Sequence, residues 1–148
     1  MLVDWAVTCR YAESNGLVGT IVGAGVDLIQ VPALPQAVGI MLAVRLGATV
    51  EEFQADQTHE LAVQVQAPDG QPVRTPDGSE SPPITAQFSG AAQQIVPGWL
   101  VTPMFAIALQ WLASEAGTYT ILVRAGLGEP SRSPVHVLEA GAPPTITS

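Results

Sequence analysis

In this chain of 148 residues 47% are apolar and only 12% charged, about half the usual charged share, so it is built to pack a core rather than to stay disordered. Its thirteen acids face five arginines (Arg10, Arg45, Arg74, Arg124 and Arg132) and no lysine, for a net charge of −8. That balance excludes a Walker-type phosphate loop and Schiff-base chemistry, each of which needs a lysine. It also leaves no basic stripe for nucleic acid and no polybasic patch for a membrane surface.

A two-residue period recurs along the chain. Val3, Trp5, Val7, Cys9 and Tyr11 fall on one face with Asp4, Thr8 and Arg10 opposite, which predicts a half-buried strand. Asn15-Gly16 then supplies a turn. Leu17 to Val31 reads as a long strand bent or bulged at Gly19, Gly23 and Gly25. Pro32 and Pro35 interrupt pairing, because proline lacks a backbone donor. Val38, Ile40, Leu42, Val44 and Leu46 resume on one face with Arg45 opposite. After an acidic connection, Leu61, Val63 and Val65 alternate with Glu60, Gln64 and Gln66. Pro68-Asp69-Gly70 and Pro76-Asp77-Gly78 repeat one turn signature. Ile84, Ala86 and Phe88 then alternate with Thr85, Gln87 and Ser89.

The stretch from Thr102 to Ala116 admits two readings. Thr102-Pro103 suits a helix start and Gly117 a stop, so a helix over residues 103–115 is one. Alternation sets Phe105, Ile107, Leu109 and Trp111 against Met104, Ala106, Ala108 and Gln110; bulky residues opposite small or polar ones predict a strand. Tyr119, Ile121 and Val123 form the next strand, ended by Gly126 and Gly128, and Val135 and Val137 begin the last. About eight or nine short strands separated by turn signals predict an all-β fold: a single antiparallel β-sandwich, Greek-key or immunoglobulin-like, with little or no helix. Residues 1–139 make the sandwich domain and residues 140–148 a flexible C-terminal tail. No Cys…Trp…Cys pattern marks an antibody-type domain, and at this length neither metal nor disulfide is needed to hold the fold.

Two stretches together resemble a known family. Cys9-Arg10-Tyr11-Ala12, followed by Asn15-Gly16-Leu17 running into Val22-Gly23-Ala24-Gly25, is similar to the opening of an uncharacterised family of small bacterial domains common in actinobacteria. Gly117-Thr118-Tyr119-Thr120-Ile121-Leu122-Val123, before a short turn and a last Val135-x-Val137 strand, is similar to its close. The likeness spans residues 2 to 138 and departs from the family pattern around residues 47 to 57 and 71 to 83. It implies a β-sandwich and supplies no activity, substrate or catalytic residue.

Each residue with chemistry to offer has a plainer account. His59-Glu60 suggests a zinc-protease helix, but the next ligand falls at Val63 in a segment that reads as strand, so a surface strand pair is expected. His136 lies between two core valines and points outward. Glu51, Glu52, Asp56 and Glu60 lack EF-hand spacing and read as a solvated loop. No Gly-x-Ser-x-Gly elbow is present, and Gly23-Ala24-Gly25 has Leu28 where a dinucleotide fingerprint needs a third glycine. Cys9, the only cysteine, reads as a small core hydrophobe. No catalytic residue, metal ligand or cofactor is assigned.

Of the aromatic rings, Trp5, Tyr11, Phe88, Phe105, Trp111 and Tyr119 fall on predicted core faces, which leaves Phe53 and Trp99 for the surface. The expectation is a non-enzymatic protein-interaction or structural assembly module, a subunit of a homo-oligomer or of a larger cellular or phage particle. Its interaction surface is expected to draw on Trp99, Phe53 and Met41. A protein partner or self-association is expected, with no nucleic acid and no membrane insertion. The alternative is a small-ligand or glycan-binding sandwich, and behind it a hydrolase assembled from loop acids and histidines. Met1-Leu2-Val3-Asp4-Trp5 lacks the basic start of a secretory signal, so a cytoplasmic location is expected.

Overall fold

The computed structural model describes residues 1–16, 18–50, 52, 58–89 and 101–141. Its regular elements are strands: β1 (Leu2–Cys9), β2 (Tyr11–Ser14), β3 (Gly19–Val22), β4 (Leu28–Val31), β5 (Gln36–Gly47), β6 (Thr58–Gln66), β7 (Ile84–Ser89), β8 (Met104–Ala113), β9 (Gly117–Ala125) and β10 (Ser131–Glu139). Among the described residues no helix is long and apolar enough to cross a membrane.

One sheet has the order β1-β5-β8, a second the order β4-β10-β9-β6-β7, and β2-β3 form a hairpin. Pairing is antiparallel except where β4 runs parallel to β10. The two larger sheets share one core, in which Leu42, Val44 and Trp111 from the first meet Leu61, Val63, Tyr119, Ile121, Val123, Val135 and Val137 from the second. This is the expected sandwich, and its strand order is immunoglobulin-like: β1, β5 and β8 take the places of strands A, B and E, while β6, β9 and β10 take those of C, F and G.

A tyrosine corner marks the crossing from β8 to β9. The Tyr119 hydroxyl donates to the Glu115 carbonyl at 3.0 Å, and the Tyr119 ring packs on Trp111 with centroids 5.9 Å apart. Gly117 makes the turn with φ +151°, where a Cβ would come within 2.8 Å of Pro68. Two residues past the tyrosine, where antibody domains carry a disulfide cysteine, this chain has the fully buried Ile121.

Residues 103–115 hold a strand, not a helix. In register with β5, Phe105, Ile107, Leu109 and Trp111 oppose Val44, Leu42, Ile40 and Val38, so the bulky set closes the core and no helical face competes.

The structure departs from the periodic reading in three places. The register of β1 shifts between Val3 and Trp5, a bulge at Asp4 that leaves Val3 and Ala6 against the main core and sends Trp5, Val7 and Cys9 to the outer face. Residues 17–31 do not make one long strand: at Gly23 and Gly25 φ is positive, the chain leaves the sheet, and the N–H groups of Gly25 and Val26 return to the Thr8 carbonyl. Tyr11 begins a separate strand and is 49% exposed rather than core. With β1 and β2 split, and β3 and β4 split, the described residues form ten strands where eight or nine are expected.

Candidate functional site

The bulge at Asp4 creates the surface of most interest. Beyond it, three cross-strand rows line the outer face of the β1-β5-β8 sheet: Trp5, Arg45 and Met104; Val7, Ala43 and Ala106; Cys9, Met41 and Ala108. Eight of these nine side chains are uncharged. The ninth, Arg45, is paired through Nε with Asp4 Oδ2 at 3.3 Å, so the one cation of the face is offset by the residue that makes the bulge.

The β2-β3 hairpin folds back over part of this face. Ala12 and Ile21 pack on Cys9, Ala43 and Met104. The far end of the hairpin is stapled to β8: the Ser14 hydroxyl donates to the Met104 carbonyl at 2.6 Å, and Met104 N–H donates to the Gly16 carbonyl at 3.0 Å. Approach is so close that a Cβ at Gly19 would lie 2.6 Å from Met104 Sδ and 2.7 Å from the Glu13 carbonyl oxygen. Beneath the hairpin Cys9 is fully buried. Its thiol donates to the Met41 carbonyl at 3.6 Å, and burial pushes its pKa above the ordinary thiol value, which makes it a poor nucleophile.

The remainder of the face is open to varying degrees. Trp5, Val7, Met41 and Ala106 are half-buried and Ala108 is exposed. Met41 lies beside a shallow groove of about 230 Å³ that Arg10, Gly39, Ala108 and Gln110 also line. Phe53 and Trp99 lie outside the described residues. Sequence reading missed Trp5 and Val7 as surface residues, because alternation alone cannot reveal a one-residue bulge in a strand whose apolar residues crowd together. On the hairpin's outer side Tyr11 stands opposite Val22, with its hydroxyl donating to Glu13 Oε2 at 2.8 Å.

The polar candidates do not converge. His136 lies on the outer side of β10, its Nδ1 3.0 Å from the Thr118 hydroxyl. His59 is not on the surface of its strand as expected: it faces inward, opposite Phe88 across the β6-β7 pair, with ring centroids 5.7 Å apart. Among the described residues no three His, Cys, Asp or Glu side chains are grouped to hold a metal ion. Of the acidic run, Glu51 and Asp56 lie outside the described residues. A cleft of about 500 Å³ beside β8 is lined by Asp69, Gln71, Arg74, Glu80, Leu112 and Ser114. Two of its charged groups serve local turns: Asp69 accepts Gln71 N–H at 2.9 Å, and Arg74 donates to the Gly78 carbonyl at 3.3 Å.

Residues 4–138 match the model of a family of unknown function, DUF6941. The chain belongs to that family. The match takes in β2 to β9 whole, β1 from Asp4 onward and all of β10 but its last residue, so the sandwich, its hairpin and the open face all fall within the family's domain. No curated protein matches the chain. Among solved structures it is similar to a beta-glucosidase from Listeria innocua in complex with isofagomine, at 9% identity and a TM-score of 0.39, over 90% of this chain and 16% of that one. So slight a likeness bears on neither reaction nor ligand.

Proposed function

We propose that the chain is a non-enzymatic protein-interaction module, a subunit that assembles with copies of itself or into a larger particle through the outer face of the β1-β5-β8 sheet. The observation that carries this reading is the uncharged set Trp5, Val7, Met41, Ala106 and Ala108, which the hairpin leaves partly open. A solvated outer face normally turns polar, as the five-stranded sheet does with Gln64, Gln66, Thr118, Thr120 and His136. Contiguous apolar surface is the usual mark of a docking site, and tryptophan and methionine are enriched at the energetic centre of interfaces.

Light scattering tests the reading. The expected mass is a multiple of the 15.4 kDa chain, falling to that of one chain in Met41→Glu or Ala108→Glu, which place a charge on the face without entering the core. A single-chain mass at the highest attainable concentration would overturn assembly through this face.

A further inference from the structure

The chain's two Asp-Gly bonds, Asp69-Gly70 and Asp77-Gly78, sit in turns that share one backbone and differ in what holds the aspartate. In the first turn Gly70 N–H donates to the Ala67 carbonyl at 2.9 Å and Ala67 N–H to the Gln71 carbonyl at 2.8 Å. In the second Gly78 N–H donates to the Thr75 carbonyl and Thr75 N–H to the Ser79 carbonyl, both at 2.8 Å. Both glycines are left-handed, with φ +82° at Gly70 and +88° at Gly78. Each aspartate accepts the N–H two residues on, Asp69 from Gln71 at 2.9 Å and Asp77 from Ser79 at 3.0 Å.

The match ends at the side chains that flank each turn. Thr75 and Ser79 carry hydroxyls, and both donate to Asp77 Oδ1, that of Ser79 at 2.6 Å. Their counterparts are Ala67 and Gln71, which have no hydroxyl. Among the described residues the Gln71 N–H is the one donor to the Asp69 carboxylate. The Gly78 carbonyl is fastened as well, by the Arg74 guanidinium at 3.3 Å.

An Asp-Gly bond has a reaction of its own, because glycine has no Cβ to hinder its nitrogen. That nitrogen attacks Cγ of the neutral aspartic acid; a C–N bond forms, a C–O bond breaks, and the carboxyl hydroxyl leaves with the amide hydrogen as water. The cyclic imide then takes up water at either carbonyl. Opening at Cγ restores aspartate, whereas opening at the main-chain carbonyl leaves isoaspartate, with the chain routed through the side-chain carbon. Ring closure needs a carboxyl that is neutral and free to swing toward the nitrogen, and donors to the carboxylate oppose both. At Asp77 they bring the pKa from 3.8 to about 2, which leaves roughly 60-fold less neutral acid at mildly acid pH.

We propose that Asp69-Gly70 is the Asp-Gly bond at which this chain forms isoaspartate, and that the hydroxyls of Thr75 and Ser79 spare Asp77-Gly78. The product exposes a new α-carboxylate at residue 69, the group that an isoaspartyl methyltransferase esterifies. It also lengthens the backbone beside Pro68, whose ring lies against Gly117 of the tyrosine corner. Neither turn lies on the β1-β5-β8 face, so docking and isomerisation stand or fall apart.

The test is to keep the full chain at body temperature and mildly acid pH, digest it, and map the peptides by electron-transfer fragmentation, which distinguishes the two linkages. Products at Asn15-Gly16 release ammonia and change mass, so they are read separately. Isoaspartate at residue 69 is expected to exceed that at residue 77 by about tenfold or more. In urea the two bonds should react alike, since the turns are then gone. Thr75→Val combined with Ser79→Ala removes both hydroxyls and should raise isoaspartate at residue 77 by about tenfold, with residue 69 unchanged. Gln71→Ser places one such hydroxyl on the first turn and should slow residue 69 several-fold; it decides the matter if the double variant does not fold. The proposal is overturned if residue 77 reacts as fast as residue 69 in the folded chain, if their difference persists in urea, or if these side-chain changes leave the rates as they were.

Discussion

Asp77 is held by more donors than any other carboxylate described. At the tip of the second Pro-Asp-Gly turn it accepts the hydroxyls of Ser79 and Thr75 and the N–H of Ser79. These donors favour the ionised form and bring its pKa from the ordinary 3.8 to about 2. A carboxyl lowered in the folded chain contributes stability that is complete above pH 3.8 and is lost as pH falls through about 2. An NMR titration of Asp77 should therefore find its midpoint near 2, and Asp77→Asn should narrow the stability gap from wild type as acid is added; a midpoint at 3.8 would show the turn unformed. Tyr119 acts through its hydroxyl, which donates to the Glu115 carbonyl and accepts Glu115 N–H at 3.5 Å, and through one ring contact with Trp111. Tyr119→Phe keeps the ring against Trp111 and loses the bonds to Glu115, so urea unfolding should report a loss of about 1 kcal/mol.

At the scale of elements, the β2-β3 hairpin and the first strand show where periodicity informs and where it does not. The hairpin docks by a glycine contact. Gly19→Ala drives a methyl into Met104 and the Glu13 carbonyl, and overpacking of this kind costs about 1–3 kcal/mol. Because the hairpin roofs Cys9, the variant should also react faster with a thiol reagent such as DTNB under native conditions; an unchanged rate would mean that the hairpin stays seated.

The β5, β6, β8, β9 and β10 strands were legible from alternation, since each sets a row of apolar residues on the core side. The register of β1 was harder to read, because both faces of its sheet are apolar and Met41 and Ala43 look as core-like as Leu42. In β1 the bulge at Asp4 then exchanged the faces. Tyr11 was misread for the same reason: after Cys9 the chain leaves the sheet at Arg10, and the parity carried from Val3 no longer applies.

For the whole molecule, composition and period sufficed for an all-β sandwich, and the family match adds no activity. The candidate site was only partly legible. Met41 was named as a surface residue, but the surface itself depends on contacts that no local pattern encodes: Ser14 with Met104, Asp4 with Arg45, Arg74 with Leu112. Such contacts dominate this fold, and topologies of that kind close slowly.

The parallel pairing of β4 with β10 sharpens the point. β4 emerges early during synthesis, yet the strand it pairs with is the last of the ten. A ribosome must deliver nearly the entire domain before Leu28–Val31 can find their ladder, so nascent β4 waits as an unpaired ribbon. The ladder of β4 closes only when β10 is in hand, so its edge is the kind of unpaired surface that is exposed to wrong pairing until then.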